Sequence, residues 1–94
     1  MAEITMYTSD RCSYCVRAKR LLDHKAVAYR EIHISLTDFA ARRRVAEITG
    51  QMTVPQIIID GTPIGGWDEL YALERAGELD PMLAPPDGET QVGD

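Results

Sequence analysis

The chain has 94 residues, of which 45% are hydrophobic and 27% are charged, and its formal net charge is -5. This length fits one small domain, no apolar run is long enough for a membrane span, and the acidic balance argues against nucleic-acid binding. The opening residues lack the basic start and the long apolar stretch of a secretory signal. We therefore expect a single cytosolic (cytoplasmic) domain with no membrane or nucleic-acid partner.

The first half of the chain predicts two strands and two helices. Residues 3–8 are rich in β-branched and aromatic side chains, which favours a strand. Residues 13–25 predict a helix, because apolar side chains recur at helical spacing on one expected buried face, at Tyr14, Ala18, Leu21 and Leu22. Residues 28–34 alternate like a half-buried strand, and capping residues then start a second helix that runs from Phe39 to Gly50.

The second half predicts a hairpin and a third helix. The apolar run 56–59 is followed by Asp60-Gly61, a pair that favours a tight hairpin turn, and by a short strand over 62–64. Residues 67–76 predict a helix that ends near Gly77 and whose inward side chains would be Leu70, Tyr71 and Leu73. Two antiparallel strands would thus complete the sheet.

The order of these elements is βαβ-α-ββα. The first βαβ unit should pair its strands in parallel through a right-handed crossover. We therefore predict an α/β domain over residues 1–83 with the thioredoxin-like fold, a four-stranded mixed sheet with helices on its faces. Residues 84–94 are rich in proline, glycine and acidic side chains, and we predict that they form a disordered acidic tail.

Cys12 and Cys15 are the two cysteines of the chain, and they form one C-x-x-C pair at the predicted start of the first helix. The free amides and positive dipole of a helix start stabilise a thiolate, and a residue three positions on is within reach of a disulfide. We predict that Cys12 attacks disulfides and that Cys15 resolves them. Nearby cations would add a smaller positive potential: Arg11, Arg17 and Lys19. The alternatives are an inert pair or half of a zinc site, which His24 and His33 do not complete at convincing spacing.

Three segments, YTSDRCSYC, TVPQIIIDG and IGGWDELYALERAGELDPML, resemble the glutaredoxin family, in particular its bacterial dithiol members. The resemblance covers residues 3–83. It implies a glutathione-disulfide oxidoreductase that reduces glutathionylated and disulfide-containing proteins and serves cell redox homeostasis, with glutathione as co-substrate. It also implies a monomer with no resident metal.

The same resemblance implies a glutathione site with a position for each part of the tripeptide. The backbone of Val54, in a cis-proline loop, would pair with the cysteinyl part. Amides at the start of the third helix would bind the γ-glutamyl carboxylate, and Asp68 would face its ammonium group. A basic side chain of the second helix would bind the glycyl carboxylate. The residues implied are Tyr14, Arg42, Thr53, Val54, Pro55, Gly66, Trp67 and Asp68.

Each of these positions has an alternative that needs no ligand. Pro55 could be a trans proline at the start of an edge strand, and residues 66–68 could be a capped helix start. Arg42 belongs to an arginine run that could be a solvated face, and Arg43 could take its place. Tyr14 could simply cover the helix start.

Ser13 stands where many dithiol members carry proline, and members with CSYC are similar to those that hold an iron–sulfur cluster. An alternative function is therefore a dimer in which two chains and two glutathione molecules hold a [2Fe–2S] cluster through Cys12, as a redox sensor or cluster carrier. A third hypothesis is a thioredoxin-like donor reduced by a flavin enzyme, which would have no use for a γ-glutamyl site at residues 66–68.

Overall fold

Residues 2–84 are described by a computed structural model. The strands are β1 (Ile4–Thr8), β2 (Arg30–His33), β3 (Gln56–Ile59) and β4 (Thr62–Gly65), and the helices are α1 (Ser13–His24), α2 (Phe39–Thr49), α3 (Trp67–Arg75) and α4 (Leu79–Leu83). One mixed sheet contains the four strands in the order β2-β1-β3-β4. The predicted class and sheet are confirmed. The predicted tail, 84–94, lies outside the described residues apart from Ala84.

The strand β1 lies inside the sheet between β2 and β3. It runs parallel to β2, with Thr5 opposite Arg30, and antiparallel to β3, with Tyr7 opposite Gln56. The strands β3 and β4 are joined at Asp60-Gly61, where φ is 51° and 82°, and positive φ at both positions is what the predicted tight turn requires. From Thr8, at the carboxyl end of β1, the chain continues through residues 9–12 into α1.

One hydrophobic core holds the sheet and helices together. On β1, alternate residues are buried: Ile4, Met6 and Thr8. On α1 the buried stripe consists of Cys15, Ala18 and Leu22. The buried apolar cluster contains Ala2, Ile4, Met6, Ala18, Leu22, Ile57, Ile59, Leu70, Leu79 and Leu83. Each fully buried aliphatic side chain contributes about 1.5–3 kcal/mol to folding. Because Cys15 shares the stripe of α1, the C-x-x-C pair is anchored to this core.

Two tyrosines that the helical spacing places inward are exposed instead. Tyr14 is 52% exposed and Tyr71 is 42% exposed, because the buried stripes of their helices run through Cys15 and Leu70. Tyr71 stacks on Trp67, and the ring centroids are 5.1 Å apart. Both tyrosine rings are therefore surface features of the protein.

The strand β2 differs from the prediction, and α2 has few buried side chains. The strand β2 is shorter than the predicted 28–34, and only Ile32 within it is partly buried, because β2 lies at the edge of the sheet. In α2 the burial falls on Val45, whereas Phe39 and Ile48 are 65% and 52% exposed. The helix α2 is therefore buried mainly at Val45.

The helix α4 is absent from the predicted elements, because its five residues are few and include a proline. Its Leu79 and Leu83 are nevertheless buried. Lys25, which follows α1, lies 2.6 Å from Glu74 of α3 and 2.7 Å from Asp80 of α4, and hydrogen bonds to Asp80 and Glu74 raise the pKa of Lys25. These ion pairs join the ends of α1, α3 and α4. Within residues 2–84, every helix is too short or too polar to cross a membrane.

Candidate active site

The cysteine pair lies at the start of α1, as predicted. Cys12 is the N-cap of the helix with extended backbone (φ -108°, ψ 98°), and its sulfur accepts a hydrogen bond of 3.1 Å from the amide of Cys15. The two residues form a disulfide with a Cα–Cα distance of 5.2 Å. Cys15 is 2% exposed, whereas Cys12 is partly exposed. A substrate can therefore reach the sulfur of Cys12, and Cys15 is the internal partner.

The loop that enters β3 lies against this pair. The Val54–Pro55 peptide bond is cis, so the trans alternative is wrong. The carbonyl oxygen of Val54 lies 3.7 Å from the Cys12 sulfur. Pro55 is buried, and Val54 is partly exposed. The backbone of Val54 is thus placed to pair with an extended peptide beside Cys12.

A groove next to the cysteine pair collects most of the predicted ligand residues. It is lined by the start of α1, the loop before β3 and the start of α3: Tyr14, Gln51, Thr53, Val54, Pro55, Gly66, Trp67, Asp68 and Glu69. All the predicted ligand residues except Arg42 are among them. Gln51 and Glu69 are additional residues of the groove that the sequence analysis does not identify.

Two glycines, Gly65 and Gly66, form the corner between β4 and α3. A Cβ on Gly66 would lie 3.1 Å from the carbonyl oxygen of Pro55, so the absence of a side chain lets this corner approach the cis-proline loop. The amide of Gly66 donates to Glu69 Oε1 at 2.8 Å, a capping contact whose signal in the sequence is the glutamate three residues after the cap. The amide of Gly66 therefore already has a hydrogen-bond partner. The amides of Trp67 and Asp68, which have no partner within the helix, are the kind of donor that an anion can accept from.

The glutaredoxin family model matches residues 4–64. The chain is 47% identical over 83 residues to Glutaredoxin 3 of Escherichia coli (strain K12), which covers 88% of this chain and 99% of that protein. The chain belongs to the glutaredoxin family. It is also 45% identical over 84 residues to a glutaredoxin of Pseudomonas aeruginosa, covering 89% of this chain and 99% of that protein.

Solved glutaredoxin structures have the same fold. The crystal structure of a buckwheat glutaredoxin–glutathione complex matches with a TM-score of 0.79 at 33% identity, covering 87% of this chain and 76% of that chain. The predicted family, the thioredoxin-like fold and the activity class are confirmed. This glutaredoxin is a thiol–disulfide oxidoreductase whose redox pair is Cys12 and Cys15.

Arg42 of this glutaredoxin lies on the other side of the cis-proline loop from Asp68. It lines a neighbouring pocket that shares Thr53 and Val54 with the groove. Its guanidinium donates to the carbonyl of Leu36 at 3.3 Å and lies 6.0 Å from the ring centre of Phe39. Arg43 is exposed and does not line this pocket. Of the two arginines, Arg42 is thus the one beside Val54.

The other charged groups near Cys12 are largely paired with one another. The Lys19 ammonium lies 3.1 Å from Glu31 Oε2, which also accepts a 2.7 Å hydrogen bond from the Thr8 hydroxyl. The Thr8 and Lys19 contacts lower the pKa of Glu31. His33 Nε2 lies 3.0 Å from Asp10 Oδ1, and the guanidinium of Arg17 is held over the ring of Tyr14. The predicted contributions of Lys19 and Arg17 at Cys12 are therefore weakened, which leaves the helix start and Arg11, which lines the same pocket as Cys12, as sources of positive potential.

Proposed function

We propose that this glutaredoxin reduces mixed disulfides between glutathione and proteins, and also intramolecular protein disulfides, with electrons from glutathione. The groove beside Cys12 carries the proposal, because it combines the backbone of Val54, the first amides of α3 and the carboxylate of Asp68. Such a set complements a peptide with a zwitterionic end. The buckwheat relative was solved as a glutathione complex, which supports the same ligand for this chain.

The proposed pose assigns one contact to each part of glutathione. The cysteinyl part would pair with the backbone of Val54, which would bring the glutathione sulfur next to Cys12. The γ-glutamyl carboxylate would accept hydrogen bonds from the amides of Trp67 and Asp68, and the Asp68 carboxylate would face the ammonium group. The glycyl carboxylate would extend across Val54 towards Arg42.

The proposed reduction of a glutathionylated protein takes two exchange steps. The Cys12 thiolate attacks the glutathionyl sulfur, a Cys12–glutathione disulfide forms, and the protein sulfur leaves as a thiolate that is protonated from solvent. The thiolate of a second glutathione then attacks the same glutathionyl sulfur. Oxidised glutathione leaves and Cys12 returns to the thiolate. One glutathione thiol is consumed for each protein thiol released, and the glutathionyl group of the substrate becomes the other half of the oxidised glutathione.

The proposed reduction of an intramolecular protein disulfide also needs Cys15. The Cys12 thiolate first attacks one sulfur of the protein disulfide, so that a mixed disulfide with Cys12 forms and the other protein sulfur leaves as a thiolate. The Cys15 thiolate then attacks the Cys12 sulfur, so that the Cys12–Cys15 disulfide forms and the second protein thiol is released. Two glutathione molecules then reduce the Cys12–Cys15 disulfide by two further exchanges and leave as oxidised glutathione. The Cα–Cα distance of 5.2 Å supports the attack by Cys15, because it lies within the range of about 4.4–6.8 Å found for disulfides.

The choice of reductant tests the proposal. Reduction of a glutathionylated peptide should proceed with glutathione, glutathione reductase and NADPH, and it should be far slower with thioredoxin reductase and NADPH. Both reactions contain the same protein and substrate, so only the electron donor differs. Faster turnover with thioredoxin reductase would instead support the thioredoxin-like donor.

The iron–sulfur dimer stays a prediction from the sequence. Residues 2–84 contain no group of three or more His, Cys, Asp or Glu side chains arranged to hold a metal ion. Each chain would therefore contribute Cys12, and glutathione thiols and a second chain would have to complete the ligand set. The visible spectrum of protein purified without oxygen tests this. The protein substrates, the monomeric state and the cytosolic location likewise stay predictions.

A further inference from the structure

The side chain of Gln56 is a buried amide directly behind the cis-proline loop. Gln56 is the first residue of β3 and is 0% exposed. Its Nε2 donates to Gln51 Oε1 and to Thr53 Oγ1, each at 3.2 Å. Both acceptors line the groove, whereas Gln56 does not. Gln56 thus binds two residues of the groove wall from the inside without facing the ligand space.

The same contacts continue to the end of α2. The amide of Gln51 donates to Thr49 Oγ1 at 3.2 Å, and the Thr49 hydroxyl lies 2.8 Å from the carbonyl oxygen of Val45, to which it donates. Hydrogen bonds therefore hold the loop between α2 and β3 at both ends. Thr49 connects it to α2, and Gln56 connects it to β3. Val54 lies between Thr53, which accepts a hydrogen bond from Gln56, and Pro55.

Stability alone does not account for an amide at this position. A buried polar group destabilises a protein unless its hydrogen bonds are complete. Gln56 Oε1 has no hydrogen-bond partner among residues 2–84. An apolar side chain of similar size would fill this space without leaving an unpaired oxygen. What the amide provides, and an apolar side chain would not, is the pair of bonds to Gln51 and Thr53.

We propose that Gln56 is a positioning residue that holds residues 51–54 in the conformation that binds the peptide backbone of glutathione. The proposal rests on the proposed glutathione function. Without the two bonds, Thr53 and Val54 would sample several conformations, and ordering them on binding would cost conformational entropy. The effect would fall on affinity for glutathione and not on the thiol chemistry of Cys12.

The first test compares the wild-type protein with Gln56→Met, which keeps the volume and removes both donors. The ligand is S-methylglutathione, which cannot exchange disulfides, and its binding is followed through the fluorescence of Trp67, the one tryptophan of the chain and a residue of the groove. We expect the variant to bind roughly five- to tenfold more weakly. The urea midpoint should be equal or higher, since the unpaired oxygen is removed.

The second test asks whether Gln56 acts through Thr53. Thr53→Val removes the hydroxyl and should weaken binding, while Thr53→Ser, which keeps it, should bind like the wild type. In the Gln56→Met background, Thr53→Val should add little further loss, because the shared bond is already absent. Fully additive losses would overturn the proposal.

The outcomes separate this inference from the proposed function. If the wild type binds S-methylglutathione and Gln56→Met binds it equally well, the positioning role is wrong and the glutathione function stands. If the wild type does not bind the ligand, both are wrong. Reduction of the Cys12–Cys15 disulfide by dithiothreitol is a control that should proceed at the same rate in the wild type and in Gln56→Met.

Discussion

Gly66 and Pro55 approach each other so closely that a Cβ on Gly66 would lie 3.1 Å from the Pro55 carbonyl oxygen. Since the φ of Gly66 is -98°, alanine fits the backbone, and the strain falls on the contact between the β4–α3 corner and the cis-proline loop. We expect Gly66→Ala to widen the groove and weaken S-methylglutathione binding, with the urea midpoint nearly unchanged. Tryptophan fluorescence and urea unfolding measure the two quantities.

Gly65→Ala is the matched comparison for that variant. Gly65 has a φ of 121°, and its Cβ would lie 2.8 Å from the side chain of Glu69. Because an L residue is strained at this φ, we expect a loss of about 1–3 kcal/mol in the free energy of unfolding. If Gly65→Ala were as stable as Gly66→Ala, the backbone argument for this corner would be wrong.

The two cysteines should differ in how they react with alkylating agents. Cys12 is partly exposed and is the N-cap of α1, where the helix amides stabilise a thiolate, whereas Cys15 is buried. In reduced Cys15→Ser protein, the remaining thiol should therefore react quickly with iodoacetamide at neutral pH. In Cys12→Ser it should react slowly until the pH becomes alkaline. Equal rates at neutral pH would contradict the assigned roles.

Cys15→Ser should separate two kinds of substrate. A second glutathione can resolve the Cys12–glutathione disulfide from outside, so the variant should keep a large part of its activity on a glutathionylated peptide. Release from an intramolecular protein disulfide needs an internal thiol, so this activity should fall much further. Cys12→Ser should lose both activities. A similar loss of both in Cys15→Ser would speak against the glutathione-centred mechanism.

Glu31 should make stability depend on pH in the acid range. Hydrogen bonds from Thr8 and Lys19 lower the pKa of its carboxyl below the ordinary value of 4.5. Because the unfolded state then takes up the proton first, the stabilisation is present above about pH 4.5 and is lost as the pH falls through the lower folded value. Urea midpoints between about pH 6 and 2.5 should fall more steeply for the wild type than for Glu31→Gln. Glu47→Gln, at an exposed site on α2, should follow the wild type.

The sequence predicts those elements that depend on residues close together in the chain. Asp60-Gly61 specifies the hairpin because two adjacent residues must adopt positive φ, and the C-x-x-C spacing places both sulfurs on one helical turn. The exposure of β2 depends instead on its position at the sheet edge, which the order of the whole sheet decides. Helical spacing predicts which side of a helix is buried. It does not predict whether residues at the border of that side, such as Tyr14 and Tyr71, are buried or exposed.

The residues themselves predict one part of the site, and the family resemblance predicts the other. The cis bond at Pro55 came from the resemblance, because trans is the usual state of a proline bond. Glu69 carries a capping pattern that could have been identified. Gln56, in contrast, lies in an apolar run where a hydrophobic residue would satisfy the same pattern. Its bond to Gln51 is a contact between side chains across a loop, which periodicity does not encode.

The two ends of the proposed glutathione pose give the last prediction. Asp68 lies at the start of α3 and Arg42 lies across Thr53 and Val54 on α2, so each would contact a different charged end of the tripeptide. Asp68→Ala and Arg42→Ala should each lose about 1–2 kcal/mol, or roughly five- to thirtyfold in kcat/KM with glutathione.

Two controls make this prediction specific. Arg43→Ala removes an equal charge from the exposed side of α2 and should leave kcat/KM within about twofold, because surface charges that make no direct contact contribute little. Dithiothreitol reaches the Cys12 sulfur without either charged contact, so its rate should be the same in all three variants. A selective loss with glutathione would support a ligand that spans the loop from Arg42 to Asp68. If both variants kept wild-type efficiency while Cys12→Ser was inactive, the redox pair would stand and this binding mode would be wrong.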